Sequence, residues 1–169
     1  MIPKIYLYAK SIKPLLEWLK DNPDDKDIKY TITRLIRYYS STPKELGLPY
    51  MYSEAALNEV KKSNMDNPSE KLKWITWKQQ TNKKGFNEDS RLNGIFHLEH
   101  IIPVSQIAKE LYDLSEITED SIYHILVNNF KIAWILKKEQ RLLDSVNRSG
   151  IRTPQLLNDL NIYIKGFNN

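Results

Sequence analysis

The chain has 169 residues, of which 41% are hydrophobic and 11% aromatic, enough for one domain with a proper core and too apolar for a disordered polymer. A net charge of +4 is a mild basic bias compatible with a polyanionic partner. There is no Cys, which excludes disulfides, structural zinc held on thiolates and a thiol nucleophile, so any metal must be held by His, carboxylate, amide or water.

Ser11 to Lys20 reads as a short amphipathic helix with Leu15, Leu16 and Leu19 inward, followed by the polar turn Asp21 to Asp27. No signal-like apolar core precedes it, and no run of about eighteen apolar residues occurs, so a cytoplasmic protein with no membrane partner is expected. Ile28 to Tyr39 carries Ile32, Leu35, Ile36 and Tyr39 at helical spacing, with Arg34 and Arg37 elsewhere on the wheel. Thr42-Pro43-Lys44-Glu45 is a capping box that Gly47 and Pro49 cut short, and Ser53 to Lys62 has the pattern of a further helix. Asn67-Pro68-Ser69-Glu70 opens a helix through about Gln80, with Leu72, Ile75 and Trp74 or Trp77 on its apolar side. Asn82 to Asn93 reads as a loop.

The character then changes. Ile95 to Ile102 is the most strand-like run in the chain and ends at Pro103. Thr118 caps a helix running to about Asn128, Phe130 to Ile135 is a β-rich run, and Leu136 to Val146 is helical with Leu136, Glu139, Leu143 and Val146 on one face. Thr153-Pro154 starts a last short helix. The expected fold class is α+β, with a helical region over 1–93 and the strand pair in 94–169, joined without a flexible linker as one compact unit.

Chemistry concentrates in Phe96-His97-Leu98-Glu99-His100-Ile101-Ile102-Pro103. On an extended strand His97 and Glu99 share one face, while His100 points to the other unless a bulge intervenes. A carboxylate can hold a hard divalent cation, and a neutral imidazole beside it can take a proton from water. Together they form a minimal kit for phosphodiester hydrolysis. The plainer alternative is two half-buried His in a strand, with Glu99 paired to a nearby Lys. His124, on the helix after Thr118, is read as structural or exposed.

Glu99-His100-Ile101-Ile102-Pro103 resembles the first motif of the HNH (ββα-metal) endonuclease family, in which an acidic residue and a His precede two aliphatics and Pro. Asn129-Phe130-Lys131-Ile132-Ala133-Trp134-Ile135-Leu136-Lys137-Lys138-Glu139-Gln140 resembles the continuation, a strand carrying an Asn and then a helix bearing the third motif residue. The resemblance covers roughly 94–144. It implies a ββα-metal core, elaborated by N-terminal helices, that cleaves DNA with Mg²⁺ or Mn²⁺. Glu99 and Gln140 would hold the metal, His100 would be the general base, and Asn129 would hold the His100 imidazole or the hairpin in register. His97 is a possible further ligand or phosphate contact, Asn128 competes with Asn129, and Glu139 competes with Gln140. Gln140 departs from the family's usual His or Asn, and the 29 residues from His100 to Asn129 exceed a tight hairpin. By analogy the setting is a bacterial or phage restriction-type nuclease, acting on double-stranded DNA as a possible homodimer. The alternatives are a non-catalytic DNA- or partner-binding protein with a degenerate version of the fold, and a non-specific nuclease acting on RNA.

Between Lys61 and Arg91, eight basic residues face four acidic ones, a local surplus equal to that of the whole chain. Lys73, Lys78, Lys83, Lys84 and Arg91 are the phosphate-contacting candidates there, with Arg148 and Arg152 a second group downstream. Gln79, Gln80 and Asn82 are candidates for reading base edges. A solvated helix face over a core containing Trp74 and Trp77 is the bland alternative.

Overall fold

A computed structural model describes residues 4–40, 51–62 and 95–167. The basic stretch with Lys73, Lys78, Lys83, Lys84 and Arg91, the helix expected up to Gln80, and the capping box at Thr42 lie outside the described residues. So does the domain boundary expected at residue 93. The described chain is mixed α+β and divides into two units that interleave in sequence: 4–40 with 102–131, and 51–62 with 95–101 and 132–167.

The first unit is helical. Its first helix, α1 (Lys4–Asp21), begins earlier than Ser11 because Ile5, Ala9, Ile12, Leu16 and Leu19 recur every three or four residues and make one continuous buried stripe. α2 (Lys26–Ser40) buries Ile32, Ile36 and Tyr39, and the Tyr39 hydroxyl sits 2.8 Å from Ser11 Oγ. Two helices follow from the segment after Pro103: α4 (Val104–Tyr112) and α5 (Glu119–Asn129). Val104, Ile107, Ala108 and Leu111 of α4 join Ile122 and Leu126 of α5 against the α1 and α2 stripes in one apolar cluster. None of the described helices is long and apolar enough to cross a membrane.

The second unit contains the sheet. α3 (Glu54–Lys62) follows β1 (Met51–Tyr52), with Ser53 between them accepting a hydrogen bond from Ala56 N. β2 (Phe96–His100) and β3 (Ile132–Leu136) are antiparallel with an unbroken register from Phe96↔Leu136 to His100↔Ile132, and β1 runs parallel to β3 on its other edge. α6 (Lys137–Asn147) leaves β3 directly, and α7 (Pro154–Asp159) follows with Thr153 as its cap. The pleat sorts the interior into two clusters. Phe96, Leu98, Ile132, Trp134 and Leu136 pack with Ala56 and Val60 of α3. Ala133 and Ile135 pack with Leu143 of α6, Leu157 of α7, Ile101, Ile162 and Ile164. Val146, expected on the inner face of α6, is 61% exposed, so the buried stripe of that helix is the short one made by Glu139 and Leu143.

Candidate functional site

The unbroken β2–β3 register fixes which strand residues share a face. Cross-strand partners stand side by side, so His97 (opposite Ile135) and Glu99 (opposite Ala133) lie on the face that packs against α6. There the Glu99 Oε2 is 3.1 Å from His97 Nε2. An ionised carboxylate only accepts, so the His97 ring donates through Nε2–H. No bulge interrupts the strand, and alternation therefore sends His100 to the face that carries Phe96 and Leu98. His100 is half-buried at the end of β2, whereas His97 and Glu99 are buried.

Arg152 departs from its expected role. Rather than reaching out to phosphate, it is 4% exposed and donates from Nε to Glu99 Oε1 at 2.6 Å. Its remaining guanidinium nitrogens bond the carbonyls of Asn147 and Arg148 at the end of α6 and lie 3.5 Å from Asp144 Oδ1. Its backbone N donates to Ile101 O, two residues beyond Glu99. The reason is geometric: the turn between α6 and α7 delivers the side chain into the sheet–helix interface, where a buried carboxylate needs a counter-charge. Arg148 remains exposed. Burial alone would raise the Glu99 carboxyl, but the His97 hydrogen bond and the adjacent Arg152 guanidinium outweigh it and hold the group below the ordinary glutamate range.

The network continues onto α6. The Gln140 amide nitrogen donates to Asp144 Oδ2, so the chain of contacts runs His97–Glu99–Arg152–Asp144–Gln140 within one unit. Glu139 points elsewhere: its buried Oε2 accepts from Leu136 N and from Ser53 Oγ, both at 2.7 Å. It satisfies an orphan N–H at the start of α6 and ties that end to the β1–α3 junction, which is a structural role. Asn129 is also placed differently from its expected position on the second strand. It is the last residue of α5 in the helical unit, and its Nδ2 donates to Glu110 Oε2 at 2.7 Å and to Ile125 O at 3.0 Å. Both amide protons are thereby used between α4 and α5. Asn128 is exposed on α5, as is His124.

Among the described residues no group of three or more His, Asp or Glu side chains is placed to hold a metal ion. Mg²⁺ asks for less, since one or two carboxylates with water and substrate phosphate oxygens complete its shell. Glu99 offers about four lone-pair directions, of which Arg152 and His97 use two. Gln140 engages Asp144 through its nitrogen, which leaves the amide oxygen as the atom it can offer. The donor types suit a hard divalent cation, but Arg152 and Asp144 stand between Glu99 and Gln140, and Arg152 is the competing positive charge on the carboxylate. Sequence reasoning missed Arg152 as the partner of Glu99 and missed Asp144 entirely. The only local signal was that a strand carboxylate among apolar neighbours requires a cation from somewhere.

Compared with protein-family models, curated proteins and solved structures, the chain matches none.

Proposed function

We propose that the chain is a metal-dependent DNA endonuclease of the HNH kind with His100 as general base, acting on double-stranded DNA in a restriction-type setting. The observation that carries the reading is the arrangement within one unit of an antiparallel strand pair followed at once by a helix, with Glu99 of β2 linked to Gln140 of α6 through Arg152 and Asp144. Glu99 and Gln140 are the residues that would hold Mg²⁺ or Mn²⁺. A cation held there would supply positive charge against the negative charge that develops as the phosphodiester is cleaved. His100 takes the proton from the attacking water, whose oxygen forms the new bond to phosphorus as the P–O3′ bond breaks. His100, half-buried at the strand end, is more open to water than His97, which is buried against Glu99; because it lies on the strand face opposite Glu99, the role requires the end of β2 to turn its imidazole toward the α6 side. Arg152 acts through Glu99: it orients the carboxylate and keeps it ionised. Glu139 fixes the first turn of α6, from which Gln140 projects.

Plasmid digestion with Mg²⁺ or Mn²⁺, beside EDTA and the His100→Ala variant, tests this. Metal-dependent cutting that His100→Ala lowers by at least about a hundredfold is expected, in line with loss of a general base. Cutting that is unchanged in His100→Ala rejects the assignment of the base. One observation favours a second reading, a DNA-binding protein without turnover: Arg152 already neutralises Glu99. That reading requires DNA retention with no cleavage at any metal concentration.

A further inference from the structure

The outer face of α2 was not among the surfaces the sequence pointed to. Lys26, Tyr30, Arg34 and Arg37 are exposed, and at 100° per residue they fall in a stripe about 80° wide opposite the buried Ile32, Ile36 and Tyr39. Tyr38 borders the stripe. Tyr30 and Tyr38 are 63% and 64% exposed, the two most exposed large hydrophobic residues in the described chain. A merely solvated helix face interleaves acids with bases, as α1 does with the Lys13–Glu17 pair at 2.8 Å. The α2 stripe does not. Asp27, the only carboxylate on the helix, sits in its first turn, where the helix dipole favours it; with Asp24 and Asp25 just before the helix it flanks Lys26, so the acid-free part of the stripe is the part that carries Arg34 and Arg37. Among the described residues no ion pair engages Lys26, Arg34 or Arg37.

The stripe is also organised. The Arg34 guanidinium lies 5.8 Å from the centre of the Tyr30 ring and donates to the Tyr30 hydroxyl at 3.3 Å. That holds the charge against an aromatic plane and limits the rotamer freedom lost on binding a partner. From Lys26 to Arg37 the helix rises about 16 Å, a length over which a B-form strand presents several phosphates. Guanidinium forks and tyrosine hydroxyls are among the donors that serve phosphate oxygens.

We infer that the outer face of α2 is a contact surface for the DNA phosphate backbone, with Arg34 and Arg37 each neutralising a phosphate and Tyr30 holding Arg34 in place. The inference rests on the nuclease reading only for the identity of the polyanion. It uses no residue of the His97–Gln140 network.

The test is fluorescence anisotropy with a duplex of arbitrary sequence, in EDTA so that cleavage plays no part, at several salt concentrations. Arg34→Gln/Arg37→Gln is expected to bind about tenfold more weakly near 0.1 M salt and to flatten the log–log salt slope by about 1.8, the value for two lost phosphate contacts. Tyr30→Ala is expected to lower affinity with a smaller change of slope. Lys109→Gln, which removes an exposed charge from α4, serves as control and is expected to change neither by as much. Equal affinity and slope in the double variant and the wild type would overturn the inference, even if the wild type cuts plasmid. Weakened binding with the flattened slope would support it, even if no metal ever elicits cutting. A wild type that binds no duplex at low salt, including one that captures only an acidic protein, would overturn it as well.

Discussion

The two units solve the problem of an interior in opposite ways. In the helical unit the buried residues are almost all aliphatic or aromatic, and Ser40 is the only buried polar side chain among those described. The sheet-containing unit buries Ser53, His97, Glu99, Glu139 and Arg152. An apolar interior is stabilised by area removed from water and tolerates conservative swaps. A buried ion pair is costly to assemble and more costly to break, because the partner left behind cannot be resolvated. A buried ion pair is therefore weak evidence for stability, and in this unit it includes Glu99, a residue of the run that resembles a catalytic motif.

The sharpest way to break this contrast is to remove one charge. Arg152→Met leaves Glu99 buried without its counter-ion and is expected to cost about 4 kcal/mol in urea unfolding. The double variant Glu99→Gln/Arg152→Met should recover much of that loss, since no charge is then stranded. A small cost for Arg152→Met alone, or no recovery in the pair, would mean that the guanidinium serves the α6 carbonyls and not the carboxylate. The matching experiment in the helical unit is Leu111→Ala, at a fully buried position. It is expected to cost about 3 kcal/mol by cavity formation. A second substitution beside it should add to that loss rather than restore it.

A third test uses pH. Glu99 is held below the ordinary glutamate range in the folded state, so the unfolded chain binds its proton more readily. Its stabilising contribution is fully present above the ordinary glutamate value, about 4.3, and is lost as pH falls through the lowered folded-state value. Glu99→Gln should therefore flatten the acid limb of the stability–pH curve below about pH 4.3. Fluorescence-monitored urea titrations between pH 3 and 6 would measure it. An acid limb as steep as that of the wild type would assign acid sensitivity to other carboxylates.

Much of this contrast was legible from short-range pattern, and what was missed has physical causes. The stripe of α2, the Thr118 start of α5, the β2 run ending at Pro103 and the helix read from Leu136 follow from periodicity, caps and breakers, which are local. Strand alternation alone placed His97 and Glu99 on one face. α4 is absent from the sequence expectations although Val104, Ile107, Ala108 and Leu111 have helical spacing: Pro103 both closes the strand run and stands before a helix, and the two signals coincide at one residue. The Glu99–Arg152 pair spans 53 residues and depends on how the turn after α6 is directed, which no local pattern encodes. Asn129 was read from its order in the chain. Its partner Glu110 lies on the unread helix, so nothing in the sequence pointed to that hydrogen bond.

The smallest expected effect sharpens the comparison by testing what the two units share. Thr118 caps α5 by accepting from Ser121 N at 3.0 Å, while Ser121 Oγ accepts from Thr118 N at 3.1 Å. Thr153 caps α7 by accepting from Leu156 N at 3.2 Å, with Pro154 in the first turn. Cap chemistry is local, so Thr118→Ala and Thr153→Ala should each cost about 1 kcal/mol, whatever the interior beneath. Thr153, however, adjoins Arg152, whose guanidinium position depends on the backbone entering α7. If Thr153→Ala costs clearly more than Thr118→Ala, and the excess vanishes in a Glu99→Gln/Arg152→Met background, the cap is coupled to the buried charge. The difference between the units would then reach beyond their interiors into the turns that frame them. Equal costs in both backgrounds would confine it to the side chains between sheet and helix.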